Sequence, residues 1–325
     1  MRTKLLTILK ESEDYVSGQE LCERFGVSRT AVWKAVSQLR EAGYEIEAVQ
    51  NRGYRLVSVP DRLSESELQS IRKTAWAGQE IFCYEVTDST NTRAKQLAEQ
   101  GHPDGTLAVA EKQEAGKGRR GRNWEAPAGS GIYMTLVLKP QIAPVNASMI
   151  TLVAALAVSA AITKCSGKTA EIKWPNDIVM SGKKVCGILT EMSAQINYIN
   201  YIVTGIGINV HNENFPEEIS QTATSIYLET GQHLNRTMLI EEVLEQFEKY
   251  YEIYLKTEDL RGLVEEYNER LVNRNRDVCV LDPREPFEGK AAGITEKGEL
   301  IVNTPKGQKL VAYGEVSVRG IYGYV

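Results

Sequence analysis

The sequence predicts a multidomain α+β protein in three parts: a winged helix-turn-helix over 1–60, a mixed α/β domain over 61–272, and a small all-β domain over 273–325. Three observations support this division. The chain has 325 residues, more than one ordinary domain. Short amphipathic helices and one hairpin occupy its start, and long helices alternate with strands in its middle. Beyond Arg276 the pattern changes to short strands separated by turns.

At the N-terminus, Leu5, Leu6, Ile8 and Leu9 mark a first helix that ends in the polar ESEDY run. Ser17–Glu20 has the form of a capping box, with Ser17 as cap and Glu20 reaching back. The helix it opens turns Leu21 and Phe25 inward and stops at Gly26. Ser28 caps a third helix in which Val32, Ala35, Val36 and Leu39 recur at helical spacing and make a core face. Arg29, Thr30, Trp33, Lys34 and Ser37 fall on the other face. Tyr44–Ala48 and Tyr54–Val57 alternate around Asn51, Arg52 and Gly53, a hairpin with a cationic tip. This order is that of a helix-turn-helix with a wing. The candidate DNA contacts are Gly18, Ser28, Arg29, Thr30, Trp33, Lys34, Ser37 and Arg52. Nine Lys/Arg against eight Asp/Glu make the unit's charge uninformative, so a protein-binding three-helix module is the competing reading. The placement of the cations favours DNA.

Pro60–Ser64 breaks the hairpin, and a short helix follows through Ile71. Ile81–Val86 reads as a strand. Asp88–Asn91 then lies at a strand-to-helix junction, where its polar groups either cap the helix or face a small ligand. Thr106–Ala110 and Gly131–Leu138 read as strands on either side of Glu111–Trp124, EKQEAGKGRRGRNW. Within that stretch Gly116–Arg122 holds three glycines and four cations in seven residues, which suits neither helix nor central strand. A loop of this kind can bring amides and arginine forks to phosphate, and it is expected to be disordered without ligand. Ala147–Lys164 is an Ala-rich, largely buried helix. In Lys173–Asp177 (KWPND) the proline interrupts a ladder and exposes Asn176 and Asp177. Lys183 and Lys184 open an apolar strand, and Tyr201–Val210 is a strong strand whose Gly205 and Gly207 leave room for a flat ring.

Composition narrows the function classes. A net charge of −5 excludes a generally basic, nucleic-acid-coating protein. The start of the chain has no secretory-signal pattern, and the longest apolar run, Leu152–Ile162, is too short to cross a bilayer, so no membrane association is expected. Five scattered cysteines and three scattered histidines give neither a disulfide framework nor a zinc site, as expected of a cytoplasmic protein.

Six motifs occur in order: the N-terminal pattern ending in GVSRTAVWK, then DSTN, QEAGKGRRGRNW, KWPND, KKVCGIL and GIGINV. Together they resemble the biotin–protein ligase family, and in particular its bifunctional members that also repress the biotin operon. The resemblance runs from about residue 5 to 325. It implies a central domain like that of class II synthetases and an SH3-like C-terminal barrel. It further implies that biotin and ATP, with Mg2+, give biotinyl-5′-AMP and pyrophosphate. The lysine of a biotin carboxyl carrier protein domain then takes the biotinyl group and releases AMP. On this resemblance Lys184 and Arg119 are catalytic, Lys184 holding the biotin carboxylate and the α-phosphoryl oxygens. Ser89, Thr90, Asn91, Gln113, Lys117, Gly118, Arg119, Lys184, Trp124, Gly205 and Gly207 bind biotin. Arg119, Arg120, Arg122, Asn176, Asp177 and Asn209 bind the nucleotide, with Asp177 also toward Mg2+. Lys117 stands where relatives often carry arginine, a point charge in place of a planar fork. The adenylate would also act as corepressor, driving a homodimer onto operator DNA of biotin genes.

Two other readings share the fold. A ligand-sensing winged-helix regulator without chemistry would need neither Lys184 nor Arg119, and both are present. A lipoate-type ligase would use the same catalytic domain, but Ser89, Thr90 and Gln113 suit a polar ring. The C-terminal strands are expected at Asp277–Leu281, Gly289–Ile294, Leu300–Thr304, Lys309–Tyr313 and Val316–Arg319.

Overall fold

The computed structural model describes residues 1–282, 285–312, 317–320 and 324–325. It divides into two compact units, Met1–Arg72 and Lys73–Val325.

The first unit contains α1 (Arg2–Glu11), α2 (Gly18–Phe25), α3 (Arg29–Glu41), β1 (Glu45–Val49), β2 (Gly53–Ser58) and α4 (Glu65–Ile71). Leu5, Leu6 and Leu9 of α1 meet Leu21 of α2 and all four apolar positions of the α3 core face. The Ser17 hydroxyl accepts from the Glu20 amide at 3.0 Å, as a cap should, but the Glu20 carboxylate turns to Arg24 (3.1 Å) instead of closing the box. β1 and β2 pair antiparallel as the wing, and Val16 adds a short bridge to Tyr54. Gly53 has φ +115°, and a Cβ there would fall 2.0 Å from the Val16 carbonyl oxygen, so no larger residue fits.

The expected boundary at residue 60 is displaced, because α4 belongs to the first unit. Glu67 is buried, accepts from the Tyr44 hydroxyl at 2.5 Å and pairs with Lys10, which also donates to Ser70. A buried carboxylate needs such partners, and both lie in the winged-helix body.

The second unit is built on a seven-stranded sheet. Its elements are β3 (Ile81–Thr87), α5 (Thr90–Glu99), β4 (Leu107–Gln113), β5 (Gly131–Leu138), α6 (Ile150–Ser166), β6 (Glu171–Lys173), β7 (Asp177–Met180), β8 (Lys183–Ala194), β9 (Ile199–Asn209), α7 (Glu217–Ser220), α8 (Ile226–Thr230), α9 (Arg236–Thr257) and α10 (Val264–Arg270). The strand order is β3-β4-β5-β9-β8-β7-β6, parallel between β3 and β4 and antiparallel elsewhere. α5 packs on Ala108, Val137, Tyr201 and Val203. Side chains alternate along β9, so Thr204 points to the other face, as does its partner Thr190, which accepts from Thr151 of α6 at 2.9 Å. The sheet therefore lies between α5 and α6, with α9 packed on α6.

The apolar run is longer than Leu152–Ile162. Residues 144–166 form 23 helical residues, long enough to cross a bilayer, and their most apolar window has a mean hydropathy of 2.0, but 78% of that window is buried inside the protein. It is the core helix of the unit.

After α10 come β10 (Asp277–Leu281), β11 (Phe287–Ile294), β12 (Leu300–Thr304), β13 (Gly307–Val311) and β14 (Ser317–Gly320). They form an antiparallel row in the order β13-β12-β11-β10-β14, with no pairing among the described residues that closes it into the expected barrel. Tyr313 and Val316, expected as strand ends, lie outside the described residues. The change of pattern near residue 272 falls inside the second compact unit.

α9 is anchored near the basic loop by Arg236, which is 1% exposed. Its guanidinium donates to both Glu111 carboxylate oxygens, at 2.9 and 3.3 Å, and to the Gly131 carbonyl at 3.1 Å. Removing one partner leaves the other charge buried. Arg236→Met should therefore lower the unfolding free energy by about 3–5 kcal/mol in chemical denaturation, with part recovered in Arg236→Met/Glu111→Leu. An unchanged midpoint would show that the pair is solvated.

Candidate active site

The face of the sheet that carries α5 opens where its side chains disappear. Val203 meets α5, but the next positions on that face of β9 are Gly205 and Gly207, and Gly187 of β8 pairs with Gly207. A Cβ at Gly205 would lie 2.0 Å from the Asn91 Oδ1, and one at Gly207 2.8 Å from the Trp124 indole. A hollow of about 450 Å³, open to solvent, is left over these glycines.

One wall of the hollow is the start of α5. Ser89 is its N-cap residue, yet its side chain makes no capping bond. Gln113, at the end of the neighbouring β4, supplies the missing acceptor: its Oε1 accepts from the Thr90 amide at 2.8 Å and the Thr90 hydroxyl at 3.0 Å. Thr135 of β5 donates toward Thr90 (2.8 Å) and Asn91 (2.7 Å). Asn91 in turn donates to the Leu189 carbonyl and to Glu191, which Lys95 pairs with at 2.7 Å. Burial pushes the Glu191 carboxyl up, but Lys95 and Asn91 hold it below the usual range. Ser89, Thr90, Asn91 and Gln113 thus line a rigid polar end, and Ser89 is released from the capping role open to it on sequence alone.

The basic loop forms the roof. Its conformation is set by backbone bonds: Trp124 N donates to Gly116 O (2.9 Å), Gly118 N to Arg122 O (2.7 Å), and Lys117 bridges Asn123. These bonds lay the Trp124 indole on Gly207 and Gly187, so the flat ring against the glycines is the protein's own. The indole Nε1 is buried without an acceptor among the described residues. Lys117 turns outward and donates to Thr92 at 3.2 Å. Arg119 points inward and donates to the Asn176 Oδ1 at 2.5 Å. Burial lowers the Arg119 pKa, a cost that nearby Asp177 partly offsets.

Lys184 stands at the inner end. β7 and β8 are joined through Ser181 and Gly182, at φ +49° and +79°, the signs a type I′ hairpin requires. The register then slips: Val179 pairs with Lys184 and Ile178 with Cys186, leaving Val185 unpaired in a bulge. Such a bulge re-aims the side chain beside it. The Lys184 ammonium lies 2.6 Å from the Asp177 Oδ1 and 5.4 Å from the Trp124 ring. Asn176 is held on both sides, by Ile188 N to its carbonyl (2.9 Å) and by its own amide to Ile188 O (3.0 Å).

A second, larger cleft of about 1360 Å³ adjoins the first. Gly118, Arg119, Trp124, Asn176 and Lys184 line both. Arg120, Arg122, Asp177 and Asn209 line only the larger one, and the Asn209 amide donates to Thr224 O at 3.0 Å. The Asp177 Oδ2 accepts from the Tyr324 hydroxyl at 2.6 Å, whereas Oδ1 is paired with the Lys184 ammonium by proximity, at 2.6 Å, without a hydrogen bond of good geometry. Burial pushes it up, but Lys184, Tyr324 and Lys173 together bring it below the usual range. Among the described residues no cluster of three or more metal-ligating side chains exists. With no such cluster, a divalent ion here would rest mainly on ligand oxygens.

All sequence-predicted ligand-site residues are therefore in one of these two clefts. Sequence reading missed Thr135, Gly187, Lys173 and Tyr324. The β9 glycine pattern and strand alternation point to the first two, whereas Tyr324 has no local signal. In the first unit Ser28, Arg29, Thr30, Trp33 and Lys34 are exposed and Ser37 is half-buried on α3, with Trp33 60% exposed. Gly18 opens α2, where a Cβ would touch Tyr54. Arg52 is committed to Asp14 (3.0 Å) and lies over the Tyr15 ring.

Comparison with known proteins agrees with this arrangement. Residues 83–209 match the biotin/lipoate A/B protein ligase family, 2–55 an HTH domain, and 275–319 the biotin protein ligase C-terminal domain. The chain is 37% identical over 321 residues to the bifunctional ligase/repressor BirA of Bacillus subtilis, covering 98% of each. It is 28% identical to BirA of Escherichia coli, over 97% of this chain and 96% of that protein. The biotin protein ligase of Aquifex aeolicus in complex with biotin and ATP aligns with TM-score 0.66 and 30% identity, covering 74% of this chain and 99% of that one. The chain belongs to the biotin–protein ligase family, in its bifunctional ligase/repressor form.

Proposed function

We propose that the smaller cleft takes biotin and the larger takes ATP, and that their shared wall is where the two substrates react. The single observation behind this reading is that Lys184, Arg119 and Asn176 line both clefts. The polar end formed by Ser89, Thr90, Asn91 and Gln113 hydrogen-bonds the ureido ring. Trp124, Gly205 and Gly207 enclose the apolar part, and the carboxylate reaches Lys184 at the junction. Lys117 and Gly118 complete the roof.

A carboxylate and a triphosphate repel each other, so the first step depends on charge neutralisation and alignment. Lys184 holds the biotin carboxylate beside the α-phosphate, whose phosphorus it attacks as pyrophosphate leaves. Arg119 grips the phosphate and retains the adenylate. Arg120 and Arg122 meet the outgoing phosphates, while Asn176 and Asn209 orient the nucleotide. Mg2+ would arrive on the triphosphate and supply further neutralisation near Asp177. In the second step a carrier lysine attacks the acyl carbon and AMP departs. No side chain here is placed as a covalent nucleophile.

The same adenylate serves as corepressor. Among the described residues, β8 beyond Ile188 has a strand, β9, on one side only, since β7 pairs no further than Gly187 and Asn176 holds Ile188. The free edge at Leu189–Ala194, with Met192 46% exposed, suits pairing with a second copy across a two-fold. Such a homodimer would match a palindromic operator, read by Arg29, Thr30, Trp33 and Ser37, with Lys34, Gly18, Ser28 and Arg52 at the phosphates. A carrier protein and DNA as partners, together with five free cysteines, support a cytoplasmic location.

Intact-mass analysis of a biotin carboxyl carrier domain incubated with the protein, biotin and Mg-ATP should show one biotinyl addition, lost in Lys184→Ala. No addition by the wild type would refute the ligase reading, and addition after replacing biotin by lipoate would redirect it. Arg119→Ala should still make adenylate but release it, seen as biotinylation of bystander proteins; strict carrier labelling would contradict the role of Arg119. Lys34→Ala should weaken operator binding by the adenylate-bound protein and reduce the salt slope by about 1. Unchanged affinity and slope would remove Lys34 from the interface.

A further inference from the structure

Tyr324 occupies a position that the chemistry so far leaves unused. Its hydroxyl donates to the Asp177 Oδ2 at 2.6 Å, while the other oxygen of the same carboxylate faces Lys184 at 2.6 Å. The Lys173 ammonium lies 3.6 Å from the Tyr324 ring centroid, and Lys173 itself is 6% exposed in the wall of the larger cleft. Lys173 and Asp177 are paired residues of the β6–β7 hairpin, so one aromatic ring from beyond β14 touches both. We propose that Tyr324 is a positioning residue for adenylate formation: it fixes Asp177 so that Lys184 stays at the junction, and it caps Lys173 at the floor of the nucleotide cleft.

The physical case rests on competition. A carboxylate surrounded by Lys184, Lys173, Arg119 and an incoming polyanion with its cations has several partners of similar strength. The hydroxyl bond engages Oδ2 and leaves Oδ1 for Lys184, which selects one arrangement among these. The ring covers Lys173 by cation–π contact, which keeps that ammonium from taking the place of Lys184 beside Asp177. The C-terminal segment thereby contributes to the reacting centre through the lysine, without touching biotin.

This inference rests on the ligase reading, and its test separates the two. Pyrophosphate release would be followed at varied biotin and varied ATP for wild type, Tyr324→Phe and Tyr324→Ala. Tyr324→Phe keeps the ring and should lower kcat for adenylation by about tenfold, with KM for biotin within about twofold of wild type. Tyr324→Ala should in addition raise KM for ATP several-fold, about as much as losing one cation–π contact allows. Wild-type kcat in Tyr324→Phe would overturn the proposal. So would loss of kcat and biotin affinity together in both variants, the signature of a merely structural role. If wild type releases no pyrophosphate, the ligase reading itself fails.

Discussion

The active site depends on one ion pair. Lys184 and Asp177 meet on facing strands of a hairpin, and a bulge at Val185 sets the angle at which the ammonium enters the junction of the two clefts. Everything nearby serves to keep that cation in place or keep water away from it. Trp124 lies beside it, Asn176 is pinned to Ile188, and Arg119 is drawn down onto Asn176. The Lys184 side chain is 27% exposed, and the pairing with Asp177 offsets the partial desolvation of its ammonium.

The sheet supplies the second constraint, which is space. Glycines at 187, 205 and 207 remove side chains from one face of β8 and β9, and Asn91 and Trp124 fill part of the space. Rigid groups on regular elements hold the polar end, while the loop holds the cationic roof. This division of labour follows from composition, since strands give fixed positions and a glycine-rich loop gives backbone amides and reach.

Much of this was legible in the sequence. The core face of α3, the wing, the paired lysines opening β8 and the glycines of β9 each have a local signal of period or spacing. The Ser17 cap was visible too, although the return bond from Glu20 was lost to Arg24, because an exposed carboxylate chooses among near-equal partners. Other features depend on contacts between distant segments. α4 joins the winged-helix unit through the buried Glu67, which the position of Pro60 does not foretell. The apolar helix was legible too, and Ser159, the polar break in its apolar run, bonds to Ala170 O in the core. Tyr324 lies 147 residues from Asp177, and no local pattern could pair them.

The central claim is that Asp177 acts by holding Lys184. Biotin-dependent exchange of labelled pyrophosphate into ATP, measured for wild type, Asp177→Asn, Lys184→Ala and the double variant, tests it as a thermodynamic cycle. The double variant should be no slower than Lys184→Ala alone, within about threefold, because Asp177 has nothing left to position. Losses that simply multiply would mean that Asp177 acts independently of the lysine, and the account would be wrong.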